Sequence, residues 1–388
     1  MSRPPIPIRA RIGGRAGLVA QILLLGAVVL LLVWLARNAA ANIAARGLAS
    51  GYDFLGRSAG FDISQHLIAY SPQDTYWRVF VVGALNTLLV SVLGIVAATA
   101  LGVLVGVMRV SRNWIARTVA TAYVEVVRNI PLAIQILVWY SLMLIAPPPR
   151  AALKLGDHIA LSNRGLYLPW PQPSTQWLYT LAWIAVSVAA GVVLERWLDR
   201  QSRISGVARS FRPGWMLAII GTAFALTVAD NPESWSFPRF HGFDFEGGLV
   251  LAPALVALWA ALTFYTAGFI GEVVRGGIVA VAPGQGEAAR SLGLSDGQSL
   301  RLVILPQAFR VIVPPLASQY LNLVKNSSLA VIIGYPDLVA TFGGTVLNQT
   351  GQAIECLSLV MAFYLAVSLT ISVLMNAWNA RTAAWSAR

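Results

Sequence analysis

The sequence predicts an all-α, polytopic membrane protein with about eight transmembrane helices. Three observations carry this reading. Of 388 residues, 57% are hydrophobic and only 11% are charged, where a soluble domain carries about 25% charged residues. Apolar runs of roughly 20 residues, the length that crosses the hydrocarbon core, recur along the chain. Arginines fall in short clusters between those runs. The net charge of +12 therefore reads as a topology signal rather than as a footprint for nucleic acid. The single cysteine, Cys356, excludes an intrachain disulfide and a cysteine-based metal cage. His66, His158 and His241 have no ligand spacing and read as exposed loop residues, so no metal site is expected.

Taken in order, the first span is Ala16 to Ala36, uncharged and longer than the 7–15 apolar residues of a signal peptide, which favours a retained anchor. The second lies within Val79 to Met108. The third is Ile130 to Ile145, extended upstream through "ARTVATAYVEVVRN". The fourth is Trp177 to Leu194, and the fifth, the shortest, is Gly214 to Val228. Leu249 to Gly271, Leu316 to Ile333 and Leu357 to Ala377 complete the set. Pro131, Pro314 and Pro315 are expected to break or kink helices.

Orientation follows from arginine in short loops. Clusters precede span one, lie between spans two and three and between four and five, follow span six, and end the chain. All fall on one face if every span is real, which places both termini in the cytoplasm. The loop from Asp230 to Glu246 carries four acids against Arg239 and falls outside. Two further external loops, Arg37 to Arg78 and the one after span three, carry more cations than the rule prefers. "LYLPWPQPSTQW" and "NPESWSFPRFHGFDF" read as external loops with interfacial tryptophans.

One cytoplasmic stretch, "GEAARSLGLSDGQSLRLVILPQAF" from Gly286 to Phe309, is too polar and too broken to span. "GEAARSL" makes one or two helical turns with Ala288, Ala289 and Leu292 on a shared face. Gly293 is a C-terminal stop. Ser295 and Gln298 form a capping-box pair that starts a second short helix, and Pro306 ends it. Small residues flanked by Glu287 and Arg290 suit close approach by another protein. An amphipathic connector resting on lipid has the same local signature.

"EAARSLG" followed after nine residues by "VILP" resembles the EAA loop of ABC importer permeases, through Gly286, Glu287, Ala288, Ala289, Gly293, Val303, Leu305 and Pro306. Val303 stands where the family prefers isoleucine. "GALNTLLVSVLG", "YVEVVRNIPLAIQ", "GEVVRGGI", "LPQAFRVIVPPL" and "LVKNSSL" are similar to the polar or general amino-acid branch of these permeases. The resemblance covers Val79 to Ile145 and Leu249 to Ala377. It implies a type I importer core of five helices, plus an anchor and a two-helix insertion like those of the larger general L-amino-acid permeases of Gram-negative bacteria. It divides the chain into 1–78 (tail, anchor and external loop) and 79–388 (permease domain), with 148–248 as insertion and 273–306 as cytoplasmic coupling loop. It implies a bacterial inner-membrane location and three kinds of partner: cytoplasmic ATPase subunits, a second permease subunit that is a different chain, and a periplasmic amino-acid-binding protein.

The chain itself lacks a phosphate-cradling Gly-Lys-Ser/Thr, since Lys154 follows Leu153 and Lys325 follows Val324. No cofactor is expected in it, and ATP hydrolysis is expected on another polypeptide. "GRSAG" (Gly56 to Gly60) has no strand leading in and reads as chance. No catalytic constellation is found. On the seventh span Ser318, Gln319, Asn322, Lys325 and Asn326 recur at three- and four-residue spacing, a polar stripe expected to line a solute path or to bond across helices. Glu125 with Arg128 and Glu272 with Arg275 are three-spaced pairs near cytoplasmic helix ends, either local ion pairs or braces of the docking face. The expected function is the permease subunit of an ATP-driven amino-acid importer. An ion-gradient-driven secondary transporter, a membrane-embedded enzyme and a channel subunit are the competing readings.

Overall fold

The computed structural model describes residues 15–45, 51–156, 158–172, 219–220, 223 and 235–384. Five helices in it are long and apolar enough to cross a membrane, and one bent helix pair makes a sixth candidate. These match six of the eight expected spans. The expected span Trp177 to Leu194 lies outside the described residues, and of Gly214 to Val228 only residues 219–220 and 223 are described.

Helix α1 (Arg15–Ala45) exposes its apolar side chains, Leu23 and Leu30 among them. Helix α2 (Tyr76–Arg109) starts at Thr75, whose hydroxyl accepts the Arg78 N–H. Helix α3 (Trp114–Asn129) is capped by Asn113, and α4 (Leu132–Leu144) follows at a bend of 106°. The third span is therefore not one helix continued upstream. Pro131 cannot donate, and the residue before a proline is pushed to extended backbone, as Ile130 is at φ −98°, ψ 124°.

Helix α5 (Pro253–Val279) is the centre of the bundle, with α2, α3, α4 and α8 (Leu305–Asn326) packed against it. Its partner α2 comes unusually close. A Cβ on Gly102 would lie 2.6 Å from Ile270 Cβ, and one on Gly106 would lie 2.6 Å from Val274 Cβ. Small residues four apart let two backbones touch, which in lipid replaces the missing hydrophobic drive with packing. The core around this contact runs through Val90, Ala98, Leu258, Leu262, Ile270, Ile312, Leu316 and Leu323.

Pro314 and Pro315 lie inside α8, which continues as helix to Asn326. Of the expected break or kink at these two prolines, the break does not occur. A turn of 3-10 helix, Ser327–Ile333, then ends at Gly334 in the left-handed region. The chain passes through Tyr335–Leu338 into a π-helical turn, Val339–Val346, and the short α9 (Leu347–Thr350), before α10 (Ala353–Ala384) closes the bundle. Segment 51–75 folds over the end of α2, burying Phe54, Ala59 and Ile63 with Val79, Val82, Leu338 and Phe342.

The chain is mostly helical, as expected, with one addition. Between α4 and α5 the chain forms small antiparallel strands where irregular loops were expected. β1 (Leu153–Leu155), β2 (Ile159–Ser162), β3 (Gly165–Leu168) and β8 (Leu249–Leu251) make a four-stranded sheet in the order β1-β2-β3-β8. β4 (Trp170–Pro171) pairs with β5 (Trp235–Ser236), and β6 (Arg239–His241) with β7 (Asp244–Glu246). Pairing β3 with β8 and β4 with β5 brings together the two sides of the intervening segment. Asp244 braces the sheet module by accepting from Arg164 at 2.8 Å and from the Tyr167 hydroxyl at 2.6 Å. These bonds, opposed by partial burial, hold its carboxyl below the usual range.

Candidate functional site: a capped helical turn at the arginine-rich end

The segment after α5 is built by capping. Helix α6 (Pro283–Ser291) opens with proline in its first turn, where a missing N–H costs nothing. It closes with paired bonds: Leu294 N–H donates to Ala289 O at 3.2 Å and Gly293 N–H to Arg290 O at 2.9 Å. With Gly293 at φ +80°, this is a Schellman stop. The next helix, α7 (Asp296–Ser299), has both bonds of the capping box. Gln298 N–H donates to Ser295 Oγ at 3.3 Å, and Ser295 N–H donates to Gln298 Oε1 at 2.9 Å.

Two expectations fail here. Pro306 does not stop the helix. A π-helical turn, Leu300–Ile304, widens the ladder just before it, and Pro306 enters the first turn of α8, where it needs no donor. Nor do Ala288, Ala289 and Leu292 share a face. Ala289 is 2% exposed and Gly286 is buried, whereas Leu292 is 82% exposed and Ala288 and Glu287 are exposed too. Ala289 lies about 100° around the helix from Ala288, so one alanine packs the turn and the other presents it. Val303 and Leu305 are half-buried, Leu302 is exposed, and Gln307 Nε2 donates to Gln285 Oε1 at 3.1 Å to tie α8 to α6.

Ion pairs anchor this segment. Asp296 accepts from Arg112, just past α2, at 2.7 Å, with Arg290 at 3.9 Å. Glu272 pairs with Arg275 at 2.6 Å, as its spacing predicts, and also with Arg109 at the end of α2. The second pair does not form: among the described residues no ion pair joins Glu125 to Arg128. The Arg128 guanidinium instead lies over the Phe269 ring, 5.2 Å from its centre. Arg109, Arg112 and Asp296 carry no periodic signal toward one another, so sequence spacing alone does not reveal their contacts.

The polar stripe on α8 divides. Ser318, Asn322 and Lys325 are exposed, and Gln319 and Asn326 are half-buried. Gln319, Asn322 and Asn326 line a cavity of about 350 Å³ with Tyr265, Thr266 and Phe269 of α5. Ser318 and Lys325 do not line it. The cavity thus offers amide and hydroxyl groups beside two aromatic rings, and the Arg128 guanidinium stacks on one of them, Phe269.

Comparison with known proteins agrees with this architecture. Residues 98–384 match the family described as binding-protein-dependent transport system inner membrane component. YhdX of Escherichia coli (strain K12), whose name places it with the amino-acid ABC transporter permeases, is 50% identical over 94% of this chain and 93% of its own. The general L-amino acid transport system permease protein AapQ of Rhizobium johnstonii is 44% identical over 94% and 91%. The glutamate/glutamine/aspartate/asparagine transport system permease protein BztB of Rhodobacter capsulatus is 41% identical over 90% and 89%. With most of its length matched by the family and by these relatives, the chain belongs to the binding-protein-dependent transport system inner membrane components.

Proposed function

We propose that this chain is the permease subunit of an ATP-driven importer, that it carries amino acids across the bacterial inner membrane, and that the α6–α7 turn is where a cytoplasmic ATPase grips it. The observation that carries this reading is the doubly capped turn itself, which holds Ala288 and Leu292 outward on a rigid frame. A loop that merely rested on lipid needs neither the Schellman stop nor the capping box. Relatives named as amino-acid ABC transporter permeases support the transport reading over an ion-driven carrier.

The mechanism follows from the frame. ATP binding closes the motors, α6 and α7 move with them, and α5 and α8, continuous with the turn at either end, tilt to alternate access. The cavity between α5 and α8 suits a zwitterion, since Thr266, Gln319, Asn322 and Asn326 supply donors and acceptors without a fixed charge. Its carboxylate and ammonium would be met by hydrogen bonds beside the Tyr265 and Phe269 rings. Ser318 and Lys325 belong to the same path on the open side. The partners are cytoplasmic ATPase subunits, a second and different permease chain, and a periplasmic amino-acid-binding protein, with both termini cytoplasmic. Chemistry on ATP belongs to the ATPase, and this chain carries no cofactor of its own.

The test is reconstitution in proteoliposomes with the companion subunits, with uptake followed on a panel of amino acids. Uptake that requires ATP and the ATPase is expected. Uphill accumulation by this chain alone, abolished by an uncoupler, overturns the reading.

A further inference from the structure

Helix α2 is gripped at both ends, near the α6–α7 turn at one and by the Tyr335–Leu338 link at the other. Its 34 residues make a rod roughly 50 Å long. At one end Arg109 is bonded to Glu272, and Arg112, three residues on, holds Asp296 of the α6–α7 turn at 2.7 Å. Along the same half, the contacts of Gly102 and Gly106 with Ile270 and Val274 key α2 into α5 at backbone distance. Sliding one helix past the other there drives atoms into overlap, so the two move together.

The opposite end is clasped just as closely. Asn86 Nδ2 donates to Gln65 O and to Pro336 O, both at 2.8 Å. The Tyr335 hydroxyl donates to Asn86 O at 3.0 Å, and Leu338 N–H donates to Thr87 Oγ1 at 3.0 Å. Asn86, Thr87, Tyr335 and Leu338 are all fully buried. A Cβ on Gly83 would stand 3.0 Å from Leu338 Cα. These contacts tie α2 to segment 51–75 and to the Tyr335–Leu338 link that feeds the π-helical turn.

The clasp is also incompletely satisfied. Asn86 Oδ1 and Asp337 Oδ2 are buried with no close hydrogen-bond partner among the described residues, although the Tyr364 hydroxyl interacts with the Asp337 carboxyl. Buried polar atoms are expensive to leave unpaired, so this joint is held less firmly than a fully bonded one. The unpaired groups sit where a rod meets a linker.

We propose that α2 transmits the stroke of the α6–α7 turn to the far side of the membrane, with the Arg112–Asp296 pair as its inner hold and Asn86 and Thr87 as its outer clasp on Tyr335–Leu338. Asn86, Thr87, Arg112 and Asp296 are positioning residues that act through helix movement. This inference rests on the importer reading above.

The experiment uses the full complex in lipid nanodiscs and proteoliposomes, and reads uptake per ATP hydrolysed together with ATPase stimulation by the binding protein. Arg112→Asp and Asp296→Arg, each exposed and safe for folding, are expected to lower uptake per ATP about two- to fivefold, the factor that an exposed ion pair supplies. The double exchange is expected to restore it. At the outer end, Thr87→Val is expected to uncouple stimulation from uptake, with rescue by Thr87→Ser. Proportional loss of ATPase and uptake in these variants, or no recovery in the double exchange, overturns the inference. A wild-type complex without ATP-dependent uptake overturns the importer reading instead.

Discussion

Arg109, the last residue of α2, bonds to the Glu272 carboxylate on α5, which Arg275 also holds at 2.6 Å. The Arg109 side chain is only 13% exposed, so Glu272 supplies the counter-charge that offsets its burial. Glu272→Ala leaves two arginines facing one another in a half-buried site. The expected cost is about 1–3 kcal/mol, below the roughly 3–5 kcal/mol of a fully buried pair because Glu272 is partly hydrated. The thermal midpoint in detergent checks it, and Glu272→Asp is expected to recover part of the loss.

The glycine contacts make a sharper prediction. Gly106→Val places a branched side chain where even a Cβ meets Val274 at 2.6 Å and Gly271 O at 2.8 Å. Overpacking of this kind costs typically about 1–3 kcal/mol and shifts backbone. A Cβ on Gly276 of α5 would meet nothing within 4 Å, so Gly276→Ala is the control and is expected to be neutral. Yield and melting temperature of the purified chain separate the two. Equal effects remove the close approach of α2 and α5 as the basis of the bundle.

Adjacent alanines are expected to behave differently. Ala288 is exposed and Ala289 is buried beneath the turn. Ala288→Trp is expected to leave folding intact and to abolish co-purification of the ATPase. Ala289→Trp has no room and is expected to lower stability by roughly 1–3 kcal/mol. Gly293→Ala forces a side chain into the left-handed region at φ +80°, at about 1–2 kcal/mol. Ala288→Trp complexes that assemble and transport normally remove the docking role.

These contrasts show what was readable in the sequence. Long apolar runs marked five helices and the bent pair because lipid demands length and apolarity, and nothing finer. Gly293 and the Ser295–Gln298 pair were legible because capping is local chemistry. Pro306 misled, because a π-turn two residues earlier absorbs its missing donor, and π-turns leave no pattern in sequence. Strands of two to four residues, such as Trp170–Pro171, are too short to show alternation. The Arg109–Glu272 and Asn86–Pro336 contacts span 163 and 250 residues, so only the packed bundle brings them together.

Asp337 supplies a prediction in pH. It lies in the connection between α8 and α10, outside the long apolar helices, and is fully buried. Burial pushes its carboxyl up to about 7 from an ordinary 3.8, against the opposing effect of backbone N–H groups such as that of Ala340, 2.8 Å from Oδ1. The folded state therefore binds a proton more tightly than the unfolded chain does. Stability from this group is fully present below the unfolded value, falls as pH rises from about 4 to about 7, and stays low above. Asp337→Asn keeps the shape without the titration, although an amide N–H₂ replaces one acceptor. The wild type is expected to melt several degrees lower at pH 8 than at pH 5.5, and the variant is expected to lose most of that difference. Parallel curves for the two proteins show instead that the carboxyl stays ionised throughout, held by the Tyr364 hydroxyl and the backbone N–H groups around it.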